Sequence, residues 1–436
     1  MRFSRFQPVE TTRSLFRFDF VPAAFSFRGP NLFRHIVCLS IYMGVAFLPA
    51  AGQSAGPAAQ IKDTEPVVHA LCGKSVALLG ESPVHGFGKT LEFKVELVRR
   101  LIDECHYNAF FIESGIYDFL NIQKRLNSGQ EVTEPMISAA IGGLWATHEV
   151  QPLIPFLLDR AKGGRVILGG LDDQLPRGTY AQREMASDLV EYLQGQGDEK
   201  ARCLAILQRH ALWQYTDDSP YGPKDKALIL GCLDSIETGL TKAPLSAAPF
   251  RENYTKMVES LKRLLAWDFR QDIPKGVDEG ILDRNDRDHW MYVNFQWFLS
   301  RLPAHSKVIV WAANVHVAKD LSDVPGEEGL VPFGFYVRRE FKSRAFALGF
   351  SAYSGSYAMT GQPVRQLSVA PDDSLEAQAL AGRDSDTIYI SVKQLRKFGS
   401  VGARPLGTSF KTARWDDVLD GLVVFRVERA PEYLHR

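Results

Sequence analysis

Glu81 and His85 stand four residues apart in Gly80-Glu81-Ser82-Pro83-Val84-His85-Gly86, just past the apolar run Ser75–Leu79. A turn there aims a carboxylate and an imidazole into one crevice. A histidine oriented by a carboxylate is suited to withdrawing a proton from water near neutral pH. The flanking glycines would let a substrate approach the backbone closely. The competing reading has Glu81 cap the next helix while His85 makes a loop hydrogen bond. The same stretch also mimics a nucleotide loop, since Gly88-Lys89-Thr90 has the ending of a Walker A motif. Pro83 stands where that motif needs its first glycine, and a proline has no N–H to offer a phosphate.

Three further groups invite the same question. Glu113 directly follows Ala109-Phe110-Phe111-Ile112, where a carboxylate could orient a histidine or a water, or simply make a structural ion pair. Asp172 follows Gly169-Gly170-Leu171, and His316 follows Val308–Asn314. His316 could act as an acid or oxyanion donor, or as hydrogen-bonded structure. Arg287, Met291, Asn294 and Phe298 recur at helical spacing, which carries Arg287 and Asn294 toward a core or a cleft. The plainer alternative is a mixed surface helix with Arg287 and Asp288 solvated.

The elements that must position these residues follow from the pattern of apolar runs. Ser75–Leu79, Ala109–Ile112, Arg165–Leu168, Lys307–Trp311, Ala345–Phe350, Thr387–Ile390 and Leu422–Arg426 are continuous rather than alternating, as in strands buried on both faces. Between the first two, Leu91, Val95, Val98, Leu101, Ile102 and Cys105 share a helix face opposite Glu92, Glu96, Arg99, Asp103 and Glu104. Strand, helix, strand is a βαβ unit. The expected fold is α/β, a mainly parallel sheet with helices on both faces, plus a helical insertion over 181–270 that ends at Asp272-Ile273-Pro274-Lys275-Gly276. In such sheets chemistry gathers at the carboxyl ends of the strands. Glu81 and His85, Glu113, Asp172 and His316 all fall there.

Composition narrows the partners. The 436 residues are 45% apolar and 23% charged, with Lys+Arg and Asp+Glu both at 51, so nothing suggests nucleic acid. The first segment differs. Arg2, Arg5, Arg13, Arg17, Arg28 and Arg34 face only Glu10 and Asp19, and the uncharged run Ile36–Leu48 leads into Pro49-Ala50-Ala51-Gly52. Residues 1–55 are expected to be a signal peptide or anchor with linker, exporting a 65–436 hydrolase domain to the periplasm or beyond. The apolar run is too short for a comfortable membrane span, so no stable span is expected unless the segment stays attached. Cleavage near 52–59 would leave Cys72, Cys105, Cys203 and Cys232, paired as disulfides or kept as buried thiols.

Taken in order, the motifs resemble the erythromycin-esterase family. Gly80-Glu81…His85-Gly86 with Glu92 downstream resembles its Gly-Glu…His-Gly opening, and Glu113 resembles its acidic strand terminus. Trp145…Glu149 and Gly170-Leu171-Asp172 are similar to two further segments. Arg287-Asp288-x-x-Met291-x-x-Asn294-x-x-Trp297 and Trp311-Ala312-Ala313-Asn314-Val315-His316-Val317 resemble its helix signature and last motif. The likeness runs from about Val76 to Arg426. It implies hydrolysis of an ester or lactone, macrolide lactones among them, with no cofactor and no obligatory metal. His85 would be the general base for water, oriented by Glu81 and Glu113. His316 would position water or the oxyanion, with Asp172, Arg287 and Asn294 in support.

Two positions depart from that pattern. Ala313 stands where the family has a histidine, and Lys89 where it has a glutamate. Neither residue can take the missing role, which puts macrolide hydrolysis in doubt and leaves two rival readings. One is a non-catalytic member that binds a small molecule. The other is a metal-dependent member with Glu81, His85 and His316 as ligands for zinc or manganese.

Overall fold

Ten strands organise the chain: β1 (Val76–Leu79), β2 (Ala109–Gly115), β3 (Ile167–Asp172), β4 (Val308–Trp311), β5 (Ala345–Tyr357), β6 (Arg365–Leu367), β7 (Thr387–Ser391), β8 (Ser400–Ala403), β9 (Lys411–Arg414) and β10 (Gly421–Glu428). They come from a computed structural model that describes residues 64–194, 197–212, 222–268 and 278–434. The proposed export segment 1–55 and the Asp272–Gly276 break lie outside the described residues.

All seven apolar runs form strands of one eight-stranded sheet, ordered β3-β2-β4-β1-β5-β10-β7 with β6 joined to β5. From β3 to β10 every pairing is parallel, while β7 and β6 pair antiparallel with β10 and β5. Strands β8 and β9 make a separate hairpin. The parallel strands alternate between two cores. Val76, Leu78, Val308 and Val310 join one, and Ala77, Leu79, Ile309 and Trp311 the other. Both faces are therefore dry, which explains the unbroken apolar runs.

Helices cover both faces. One core takes Val67, Leu91, Val98, Phe119, Ile137 and Leu157 from the helices between residues 65 and 162. The other takes Leu189, Leu207, Leu233, Val258, Phe295 and Val337 from the later helices. Among the described residues no strand lies between Asp172 and Val308. Helices Tyr180–Arg183, Met185–Val190, Asp198–Leu212, Pro223–Lys242, Arg251–Asp268 and Glu279–Leu299 occupy that stretch. The four cysteines form two disulfides, Cys72–Cys105 and Cys203–Cys232, deciding between the two states the sequence left open.

Candidate active site

The turn after β1 is shaped by two close approaches. A Cβ at Gly80 would meet the Asn314 Oδ1 at 2.0 Å, and one at Gly86 would meet the Ala358 carbonyl at 2.1 Å. The glycines thus make room for the protein's own contacts, not for a substrate. Between them the His85 N–H donates to the Ser82 carbonyl at 2.8 Å, and His85 takes a left-handed φ of 50°. A non-glycine residue held in that region stores backbone strain of about 1–3 kcal/mol, a feature that clusters at functional sites.

The side chains of the turn meet as the sequence suggested. His85 Nδ1 lies 2.6 Å from Glu81 Oε1. The carboxylate can only accept, so Nδ1 carries the proton and Nε2 is the basic nitrogen. Glu81 caps no helix. It accepts the Trp145 indole N–H at 2.7 Å on Oε1, and on Oε2 the Lys94 ammonium at 2.8 Å and the Trp311 indole at 2.9 Å. Burial would raise its pKa, but Lys94 and His85 outweigh that and hold it below the usual carboxylate value. Lys94 has no solvent exposure, lies 4.0 Å from the Trp311 ring centroid, and is brought down to about 8 by burial against the pull of Glu81. Sequence reasoning missed Lys94. The signal was present, because position 94 falls on the apolar face of Leu91, Val95 and Val98.

A second cluster sits on the neighbouring strand ends. Glu113, at the end of β2, accepts from Arg287 Nη2 at 2.8 Å and from the Ala313 backbone N–H at 2.7 Å. Arg287 also donates its Nε and Nη2 to Asp172, at the end of β3, at 3.0 and 2.7 Å. His316 Nδ1 lies 2.9 Å from both Asp288 oxygens. Its Nε2 lies 3.1 Å from Glu113 Oε1 and 3.1 Å from Arg287 Nη1. Burial pushes the His316 pKa down, yet Asp288 and Glu113 outweigh it and raise it to about 10. An imidazolium donates from both nitrogens, so Nε2–H goes to Glu113 and Arg287 is merely adjacent. Burial opposes ionisation of Glu113, but His316 and Arg287 hold it well below the carboxylate range.

These contacts change several expected roles. Glu113 makes its hydrogen bonds to Arg287, His316 and Ala313, and bears on His85 only as a nearby charge. Both nitrogens of His316 are taken up by carboxylates. Asp288 is buried rather than solvated, with Phe333 N–H donating to it at 2.6 Å. Asn294 is fully buried and bonds Leu171 O, Asp173 and Arg263, so it braces β3. Arg287 keeps a face toward an open cleft, shared with Asp172, Asp173, Arg263, Trp267 and Trp290.

The nucleotide-loop reading fails on a specific contact, since Lys89 N–H and Thr90 N–H already donate to Glu428, at 2.6 and 3.2 Å. For the metal reading, Glu81, His85 and His316 do not converge. Among the described residues no group of three or more His, Cys, Asp or Glu is placed to hold a metal ion. Both Glu81 oxygens already accept from two donors each.

Strand order puts the clusters side by side. Glu81 and His85 follow β1, Ala313 and His316 follow β4, Glu113 ends β2 and Asp172 ends β3, the four adjacent strands β3-β2-β4-β1. The carboxyl edge of this α/β sheet thus carries a buried carboxylate–imidazole pair after one strand and a cleft-facing guanidinium at the neighbouring strand ends, the edge where such sheets place their ligands. The family model described as Erythromycin esterase matches residues 102–421, well over half of the chain. The chain belongs to the erythromycin esterase family, and is at that level a hydrolase. The matched stretch contains Glu113, Asp172, Arg287 and His316; the Glu81–His85 turn precedes it.

Relatives agree with that placement. YbfO of Bacillus subtilis (strain 168), a hydrolase by designation, is 25% identical over 363 residues, 76% of each chain. A crystal structure of a succinoglycan biosynthesis protein superposes with a TM-score of 0.64 at 14% identity, over 85% of this chain and 92% of the other. The erythromycin esterase EreC, solved as a point mutant in its open conformation, gives 0.59 at 16% identity, over 85% and 95%. At such identities these structures show the fold alone.

Proposed function

We propose that this protein hydrolyses a small-molecule carboxylic ester or lactone with water activated by His85. The observation that carries the reading is the 2.6 Å Glu81–His85 contact, which leaves Nε2 as the base. Nε2 takes a proton as the water oxygen bonds the carbonyl carbon. The tetrahedral oxyanion gathers beside Arg287, one of the two guanidinium groups, with Arg263, that line the cleft. Its collapse expels the alkoxide, which takes the proton back from the His85 imidazolium, giving acid and alcohol. The Glu113–His316–Asp288 ion cluster holds Arg287 in place. Ala313 contributes only its backbone N–H, so a single imidazole does the proton transfer. Export to an oxidising compartment belongs to the same proposal, supported by the two disulfides.

The test is a panel of aryl, alkyl and macrocyclic esters, followed by turnover of any substrate in ¹⁸O-labelled water. Label entering the carboxylic acid under single-turnover conditions, with no acyl-enzyme seen by mass spectrometry, is expected. A trapped acyl-enzyme, or no hydrolysis across the panel, would overturn it.

A further inference from the structure

The helix Gly88–Cys105 begins without its own cap. Its N-cap residue Phe87 makes no side-chain cap bond, and its first turn holds no acidic residue. That would leave backbone N–H groups unmet at the positive end of the helix dipole. Glu428, the last residue of β10, supplies both needs from more than three hundred residues away. Its carboxylate accepts Lys89 N–H at 2.6 Å, Thr90 N–H at 3.2 Å and the Thr90 hydroxyl at 2.8 Å. The next residue continues the clamp, as Gly88 N–H donates to the Arg429 carbonyl at 2.7 Å.

This helix start is the far anchor of the His85 turn. Only Gly86 and Phe87 separate His85 from Gly88, and Lys94, which sets the charge on Glu81, lies two turns further along the same helix. The clamp has little slack. Gly355 packs so closely that a Cβ there would meet the Glu428 carbonyl at 1.9 Å, and Gly86 is pinned by Ala358 from the end of β5. Arg429 spends its guanidinium on Glu149 and Glu92, so among the described residues Glu428 is met by the helix amides, the Thr90 hydroxyl and the Arg429 backbone N–H at 3.0 Å. Burial pushes its carboxyl up to about 7 against the Arg429 N–H, the Thr90 hydroxyl and the two helix amides.

We propose that Glu428 is a positioning residue for the reaction, a remote cap whose carboxylate fixes the helix start and thereby the placement of the His85 imidazole. The inference rests on His85 being the base. It touches no substrate, so its loss acts on turnover more than on substrate affinity.

The experiment compares Glu428→Gln, Glu428→Ala and Thr90→Val with the unaltered protein in two readouts. The first is kcat and KM for p-nitrophenyl acetate, normalised to folded protein. Glu428→Ala should lower kcat at least tenfold with KM within threefold, and Glu428→Gln, which keeps one acceptor, should recover part of that loss. The second is histidine-selective NMR of the intact chain, in which the His85 ring signals should shift in Glu428→Ala while those of His316 stay put. Should Glu428→Ala not fold, Glu428→Gln and Thr90→Val carry both readouts. An unchanged kcat with unmoved His85 signals overturns the proposal. If the unaltered protein hydrolyses no ester, the esterase reading fails by itself, and the NMR comparison still decides the positioning role.

Discussion

Lys94 reaches Glu81 at 2.8 Å from a position with no solvent exposure. A buried ion pair of this kind has cost both partners their hydration, so removing one leaves the other stranded. Lys94→Met keeps most of the volume and removes the charge. Urea unfolding should show a loss of about 3–5 kcal/mol. A loss under 1 kcal/mol would mean that His85 and the two indoles sustain the Glu81 charge without Lys94.

The pH dependence has two opposed parts. His316, raised from 6.5 to about 10, adds stability that is full below pH 6.5 and lost as pH rises through 10. Lys94, lowered from 10.5 to about 8, carries a penalty that is relieved between pH 8 and 10.5. Lys256, lowered by burial from 10.5 to about 8, adds to the same relief, so stability should fall from pH 6.5 to 8 and then turn upward between pH 8 and 10.5. Glu81 and Glu113, both held below 4.5, contribute stability present above that value and lost as pH falls through their lowered values. Urea midpoints across pH 3–10 test the curve, and Asp288→Asn should remove the descent above pH 6.5. Stability that rises from pH 6.5 to 8 contradicts the His316 assignment.

The disulfides span separations of 33 and 29 residues. Constraint of loops that size is worth about 2–5 kcal/mol each. Replacing Cys203 and Cys232 together by Ser should lower the unfolding free energy by that order, and reductant should then lower the melting temperature further through Cys72–Cys105. A melting curve of that variant indifferent to reductant would mean that Cys72–Cys105 contributes nothing, and an unfolding free energy unchanged by the double replacement would mean the same of Cys203–Cys232.

Ala313 is 1% exposed. Placing an imidazole there overpacks a filled site, at a cost of about 1–3 kcal/mol. Ala313→His should therefore lower the melting temperature before it changes turnover. Higher activity with no loss of stability would show that the position had room for a second imidazole.

Much of this was legible because a strand buried on both faces writes an unbroken apolar run, as Val76–Leu79 and Val308–Trp311 do. The strand β6, with two of three residues exposed, leaves no such mark, and neither do the half-buried β8 and β9. At the site, the residue types at the strand ends were readable, but who bonds whom was not. Glu113 could not be assigned to His316 rather than His85 without knowing that β4 lies between β2 and β1. Glu428 was invisible for a related reason, since its partners Lys89 and Thr90 are joined to it only by the sheet.

His85→Ala tests the central claim most directly. The variant leaves Glu81 with Lys94, Trp145 and Trp311, so the fold should persist. With the best ester from the panel, kcat/KM should fall by about 10²–10⁴ at unchanged melting temperature, the usual worth of a general base. Turnover within threefold of the unaltered enzyme would place the base elsewhere and contradict the account.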